Sequence, residues 1–237
     1  MTSEIQTIPP LVVLPAGTFT MGASTDDKFA TDTERPAHPV MFTRAFALGR
    51  CPLTVGEYRA FAPSHAPAEE PDWPVVNVNW QDAQAYCEWL GRETSEIFRL
   101  PTEAEWEYAC RAGTPASFAT GDEITTRDAN FLYAEDGRHV GPGRRTAVGR
   151  YAPNAFGLHD LHGNVCEWVE DPWHPNYAGA PADGSAWRAG GDPGQRVVRG
   201  GAWDYLPRLM RSAWRDSLPH MHRRDNLGFR VARTLEP

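Results

Sequence analysis

With 237 residues, 41% hydrophobic and 11% aromatic, the chain is long enough to bury a substantial core, as one large domain or two small ones. No apolar run approaches the ~18–20 residues of a membrane helix, and the start MTSEIQTIPP lacks the basic and apolar regions of a signal peptide. The expectation is therefore a cytoplasmic protein without a membrane partner, and a formal net charge of −8 argues against general nucleic-acid affinity.

Gly 21 and Pro 21 exceed ordinary usage without reaching the level of a disordered chain, which points to a loop-rich fold. Residues 1–9 are expected to form a flexible tail and residues 10–237 a single domain. LVVLPAGTFTMG (11–22) predicts a hairpin of two short strands around Pro-Ala-Gly. The polar, breaker-rich stretch 23–39 predicts a surface loop, and 40–54 resumes strand character. Thr54 and Glu57 form a capping box for a helix over about 55–62, and Asn79 caps a second over 80–94, whose Ala83, Tyr86, Cys87 and Leu90 make an inward stripe. Thr102 and Glu105 cap a third, with Trp106, Ala109 and Cys110 on one face and Gly113 as its stop. From 115 to 157 no periodicity is sustained, and a loop region of that length must be ordered by something, a bound cation being one candidate. RVVRGGAWDY (196–205) predicts a strand broken by a glycine pair, and LGFRVART (227–234) a terminal strand. Helices in the first half and strands at both ends indicate a single α+β domain with its termini paired.

Charge is unevenly spread: residues 196–237 carry nine Arg against three Asp and one Glu, a net of +5, which leaves −13 for the first 195 residues. The basic end is expected to pair with the acidic body, through forked arginine hydrogen bonds, rather than to attract an anionic ligand. Cys51, Cys87, Cys110 and Cys166 have neither metal-knuckle nor disulfide-framework spacing and are expected to be free, mostly buried thiols.

Five stretches in order, PAGTFTMG, RLPTEAEWEYACRAGT, NAFGLHDLHGNVCEWVED, RVVRGGAW and NLGFRVAR, together resemble the formylglycine-generating-enzyme family, also called the sulfatase-modifying-factor domain, over residues 11–234. The resemblance implies that family's C-type-lectin-like, loop-rich α+β fold. The family's founding activity is aerobic oxidation of a sulfatase cysteine to formylglycine. It uses two cysteines in the loop after the Arg-Gly-Gly strand, which bind copper(I) as soft sulfur ligands. Here that loop reads GGAWDYLPRLMRSAWRD, and no cysteine follows Cys166. The expectation is a member lacking the catalytic pair and that activity, with Met210 as packing rather than a copper ligand.

The resemblance also implies a calcium site in DLHGNVCEW, formed by the side chains of Asp160 and Glu167 and the carbonyls of Gly163 and Val165. Such hard oxygen donors suit Ca²⁺. The competing reading is a turn in which Glu167 pairs with an arginine. A second family calcium site would begin at Asn130 and the Phe131 carbonyl, with Asp136 standing in for its later carboxylate.

Related cysteine-less domains occur in sulfoxide synthases of ergothioneine biosynthesis, a pyoverdine-maturation oxidase and variable proteins of diversity-generating retroelements. The first need an iron-binding helical domain for which this chain has no room. Two readings remain. In the first, residues 203–226 form a recognition surface for a protein or small-molecule ligand, with Tyr205, Leu206, Leu209, His220 and His222 exposed, Arg208 joining them in binding, and Trp203 and Trp214 in the core. In the alternative, an iron- or copper-dependent oxidase acts on a peptide or small aromatic substrate. There His220 and His222, joined by Asp204 or Asp216, make a two-histidine, one-carboxylate site. His159 and His162 are a further pair, expected to be solvent-exposed.

Overall fold

The computed structural model describes residues 8–66 and 68–235. Of the expected tail 1–9, residues 1–7 lie outside the described residues, and Pro9 is already buried. Among the described residues no helix is long and apolar enough to cross a membrane.

The domain is α+β and loop-rich, with three sheets and three α-helices among the described residues. Strands β1 (Leu11–Leu14), β4 (Phe46–Gly49), β10 (Ala232–Thr234) and β5 (Phe98–Arg99) form an antiparallel sheet in the order β1-β4-β10-β5. Both ends of the chain thus flank β4, which is buried along its whole length. Strands β2 (Gly17–Met21) and β3 (His38–Phe42) pair separately. The third sheet has the order β8-β7-β6-β9, from β6 (Cys166–Trp173), β7 (Asp192–Arg199), β8 (Arg215–Pro219) and β9 (Leu227–Phe229), the last running parallel to β6.

The expected hairpin 11–22 does not form: β1 pairs with β4 and β2 with β3. A two-residue reversal needs positive φ at its centre, which Pro15 cannot adopt, so the chain runs straight on into the next sheet. Likewise 40–54 contains two strand segments that belong to different sheets, and 227–234 divides into β9 and β10.

The helices lie where the caps put them: α1 (Val55–Arg59), α2 (Trp80–Thr94) and α3 (Glu103–Arg111), each with its capping box formed by Thr54–Glu57, Asn79–Asp82 and Thr102–Glu105. Inward Ala83, Tyr86, Cys87 and Leu90 of α2 join Trp168, Val198 and Phe229 in one core, whereas Trp106, Ala109 and Cys110 of α3 join Leu14, Phe42 and Leu161 in another.

Between the cores run buried ion pairs that use the basic end of the chain. Arg199 pairs with Glu107, Arg211 with Glu34 and Asp27, Arg215 with Glu103, and Arg230 with Glu167. The lopsided charge is therefore largely internal pairing between the last 42 residues and the acidic body.

Candidate functional site

Two glycine-dependent turns set the geometry around the family's hallmark loops. Gly201 has φ 69°, and a Cβ there would come within 2.6 Å of the Leu209 carbonyl, so only glycine lets residues 202–210 fold back on the end of β7. Gly163 has φ 77°, with a would-be Cβ 2.4 Å from the Asn130 carbonyl, which brings the 160–167 loop against residue 130 and Met210. Met210 is wholly buried and packs with Phe118, Ala129 and Phe131, as its packing role required.

The hub of this region is Asn164, which sequence reasoning treated only as part of a turn. Its Oδ1 accepts from Asn130 Nδ2 and the Thr146 N–H, both at 3.0 Å, and its Nδ2 donates to the Thr146 carbonyl at 3.2 Å. Its backbone N–H donates to the Asn130 carbonyl at 2.9 Å, and its carbonyl accepts from Trp203 N–H at 3.0 Å. One buried amide therefore ties the irregular 115–157 region to both hallmark loops, which is how that long loop is ordered. The only local signal is the Gly-Asn pair.

Glu167 is committed elsewhere. Arg230 Nε and Nη2 donate to its two oxygens at 2.7 Å each, and Trp106 Nε1 donates to Oε2 at 2.9 Å. Arg230 completes its fork on the carbonyls of Gly49 and His159 at 3.0 Å. This is the arginine-paired reading of the loop. Glu167 Oε1 nevertheless accepts a single bond, and Asp160 uses only Oδ2, which accepts Gly149 N–H at 2.7 Å. Burial holds the Asp160 carboxyl above the usual carboxylate range. The oxygens of Asp160, Gly163, Val165 and Glu167 are hard donors, the class that calcium takes. Because Arg230 neutralises Glu167, Asp160 is the one carboxylate of the set whose charge is not already compensated there. Asp136 does not complete a second site: it is exposed and paired with Arg138. Asn130 Oδ1 and Thr146 Oγ1 are enclosed there without a hydrogen-bond partner.

The expected 203–226 surface is divided. Residues 205–212 face the 115–140 loops: Arg208 pairs with Glu135, and Ser212 N–H donates to the Ser117 carbonyl. Tyr205 and Leu209 are half-buried and pack against the core, Tyr205 edge-on to the buried Trp214, so neither is the exposed contact expected of it. Leu206 is half-buried too, and Trp203, expected in the core, is likewise only half-buried. Residues 220–224 lie instead at the N-terminal end of α2: the His220 carbonyl accepts Trp80 N–H, and Arg223 pairs with Asp82.

The histidine–carboxylate metal site is not assembled. His220 Nδ1 lies 3.1 Å from the Gly194 carbonyl, and Arg224 Nε donates to His222 Nε2 at 2.7 Å. Asp204 accepts from Asn226, and Asp216 from the Ser217 N–H. Among the described residues no three His, Cys, Asp or Glu side chains converge as metal ligands. His159 and His162, expected in solvent, are buried, because each ring satisfies a carbonyl inside the fold, Tyr151 at 2.8 Å and Met210 at 2.7 Å.

The four cysteines are free, and burial pushes the thiols of Cys51 and Cys110 up to about 11 and about 12 and those of Cys87 and Cys166 higher still. None is a reactive thiolate at neutral pH. Where residues 207–211 meet the irregular loops, however, lies a cavity of about 540 Å³. Phe118, Ile124 and Phe131 line its apolar part, with Lys28, Glu123 and Arg208 among its charged lining residues.

Residues 1–235 match the family described as the Sulfatase-modifying factor enzyme 1-like domain. The chain is 31% identical to the formylglycine-generating enzyme of Streptomyces coelicolor, over 93% of this chain and 88% of that one. It is 29% identical to the inactive C-alpha-formylglycine-generating enzyme 2 of Mus musculus, over 82% and 74%. In three dimensions it is similar to PvdO from Pseudomonas aeruginosa, with a TM-score of 0.87 and 37% identity, covering 96% of this chain and 95% of that one. With the hallmark loops and their glycine turns in place, the chain belongs to the sulfatase-modifying-factor, or formylglycine-generating-enzyme, family.

Proposed function

We propose that this chain is a recognition member of its family, binding a protein segment or small molecule in the cavity beside residues 207–211 rather than oxidising a cysteine. The observation that carries this reading is that cavity, about 540 Å³ with an apolar lining and charged residues around it. Its size and composition suit one large side chain or a compact aromatic ligand. Pro207, Arg208 and Arg211 line it, and they come from the loop in which the family's oxidation would need its cysteines. A family relative that bears the name inactive is in keeping with such a role. N-acetyl-phenylalanine amide, followed by saturation-transfer NMR, is the probe. Wild type is expected to bind it saturably. Ile124→Arg, which fills the cavity from a half-buried position, is expected to abolish binding with the melting temperature retained. Equal binding by the variant counts against the cavity, and aldehyde formation on a sulfatase cysteine peptide with copper(I) and oxygen counts against a non-oxidising role.

We also infer that the 160–167 loop holds calcium weakly, through Asp160, the carbonyls of Gly163 and Val165, and the remaining lone pair of Glu167. The ion would act as a scaffold brace. With one uncompensated carboxylate, affinity belongs at the weak end of calcium sites, a Kd on the order of 10⁻⁴–10⁻³ M. Adding 10 mM calcium is then expected to stabilise the fold by roughly 1.4–2.7 kcal/mol. Asp160→Asn should remove that gain, and superimposable melting curves with calcium and with chelator would contradict the assignment.

A further inference from the structure

The third sheet carries an arginine that has no hydrogen-bond or ion-pair partner among the described residues. Arg196 lies on β7, opposite Pro172 on β6 and Leu218 on β8. Register shifts on both sides of Pro172 break the regular ladder there, the kind of irregularity that re-aims a neighbouring side chain. The Arg196 guanidinium stacks 4.1 Å above the Trp80 ring, and its Nε is enclosed with no hydrogen-bond partner. Among the described residues it joins no ion pair. This contrasts with Arg199, three positions on, whose two Nη atoms bond Glu107 and three carbonyls.

Arg196 lines a cavity of about 300 Å³ with Trp80, Gln84, Pro172, Gly191 and Pro193. Glu170 and Arg188 also line it, but they pair with each other, and Glu170 is only 12% exposed. Their charges cancel, so the cavity has a net charge of +1, that of Arg196. Trp80 N–H, the nearest helix-start donor, is already taken by the His220 carbonyl. The site therefore lacks the several donors that a phosphate dianion uses. What it offers is one planar guanidinium, fixed by stacking on an indole, with free donors in a fork and proline walls beside it. That geometry matches a carboxylate, which an arginine fork binds through two parallel hydrogen bonds.

We propose that the Arg196–Trp80 cavity is a binding site for a small monocarboxylate with a compact apolar body, either a free organic acid or the C-terminal carboxylate of a peptide. It is separate from the cavity at residues 207–211, and either site can fail without the other.

The test follows the Arg196 Nε–H and Trp80 Nε1–H NMR signals of the full chain during titration with benzoate, benzamide, N-acetyl-glycyl-phenylalanine and inorganic phosphate. Trp80 Nε1–H donates to the Val169 carbonyl at 2.8 Å, so its signal is protected and observable. Benzoate, the dipeptide acid, or both are expected to shift the two signals saturably, and benzamide and phosphate are not. Saturation by benzoate alone assigns a free acid, and saturation by the dipeptide acid assigns a peptide terminus. Arg196→Gln is expected to weaken binding at least tenfold and Arg196→Lys severalfold. Should Arg196→Gln fold poorly, Gln84→Glu, which adds a negative charge to the wall, is expected to weaken binding as well. Shifts by benzamide or phosphate equal to those by the acids, no saturation by either acid, or binding within twofold of wild type in the folded variants would overturn the proposal.

Discussion

Replacing Arg230 by alanine is expected to lower the unfolding free energy by about 3–5 kcal/mol, because it strands a buried carboxylate. Arg230 has no exposed side-chain surface, and Glu167, at 1%, has almost none, so solvent cannot take over the lost hydrogen bonds. The guanidinium also bonds the carbonyls of Gly49 and His159, so one truncation undoes contacts from β4, the 159 turn and β6 together. Arg230→Lys should cost nearly as much, since a point charge cannot reproduce the fork on Glu167 or reach both carbonyls. In the double variant Arg230→Met, Glu167→Gln the stranded charge is gone and the amide oxygen can still accept from Trp106. Its loss should fall short of the sum of the two single losses by roughly 1–3 kcal/mol. Urea unfolding of the four proteins measures the cycle. A loss under about 1 kcal/mol in Arg230→Ala, or strict additivity, would show that the pair is not what joins the two cores.

The elements legible in the sequence were those whose chemistry is local. Asn79, and Thr102 with Glu105, fix where α2 and α3 begin, and Gly113 marks the stop of α3, next to the left-handed Ala112. What escaped depends on distant residues. Nothing in LVVLPAGTFTMG says that its two strands join β4 and β3 rather than each other. The uneven charge announced pairing but not partners, because Glu167 and Arg230 lie 63 positions apart and Glu103 and Arg215 lie 112 apart. The 207–211 cavity is built largely by the aperiodic 115–140 stretch, and the isolation of Arg196 appears only once Glu170 is paired with Arg188. The histidines failed for the same reason. Local polarity put His159 and His162 in solvent, and carbonyls from residues 151 and 210 bring them inside.

That burial makes His162 the source of an acid-sensitive stability. Burial drives its imidazole from the ordinary 6.5 down to about 4, even though the Met210 carbonyl favours the protonated ring. Nδ1 donates to that carbonyl, and Nε2 accepts from Ala119 N–H at 3.0 Å. A proton on Nε2 would thus face a donor. Between pH 6.5 and 4 the unfolded chain holds this proton and the folded chain does not, so stability is fully present above pH 6.5 and is lost as the pH falls toward 4. By pH 4.5 the loss due to this group is about 2–3 kcal/mol. Asp171 acts in the opposite sense. Burial, and then the neighbouring Glu103, push its carboxyl up to about 7, so the folded state takes up a proton first and acidification through that range stabilises it. The wild-type curve contains both, together with other shifted carboxyls such as Asp160 and Glu103, and only a difference isolates the histidine. His162→Gln, which keeps an amide donor and acceptor, removes its contribution. Its stability is expected to decline less than that of wild type between pH 7 and 4.5, by about the same 2–3 kcal/mol. Asp171→Asn is expected to decline more steeply than wild type. Parallel curves for wild type and His162→Gln would mean that the ring titrates near its ordinary value and is not held neutral by the fold.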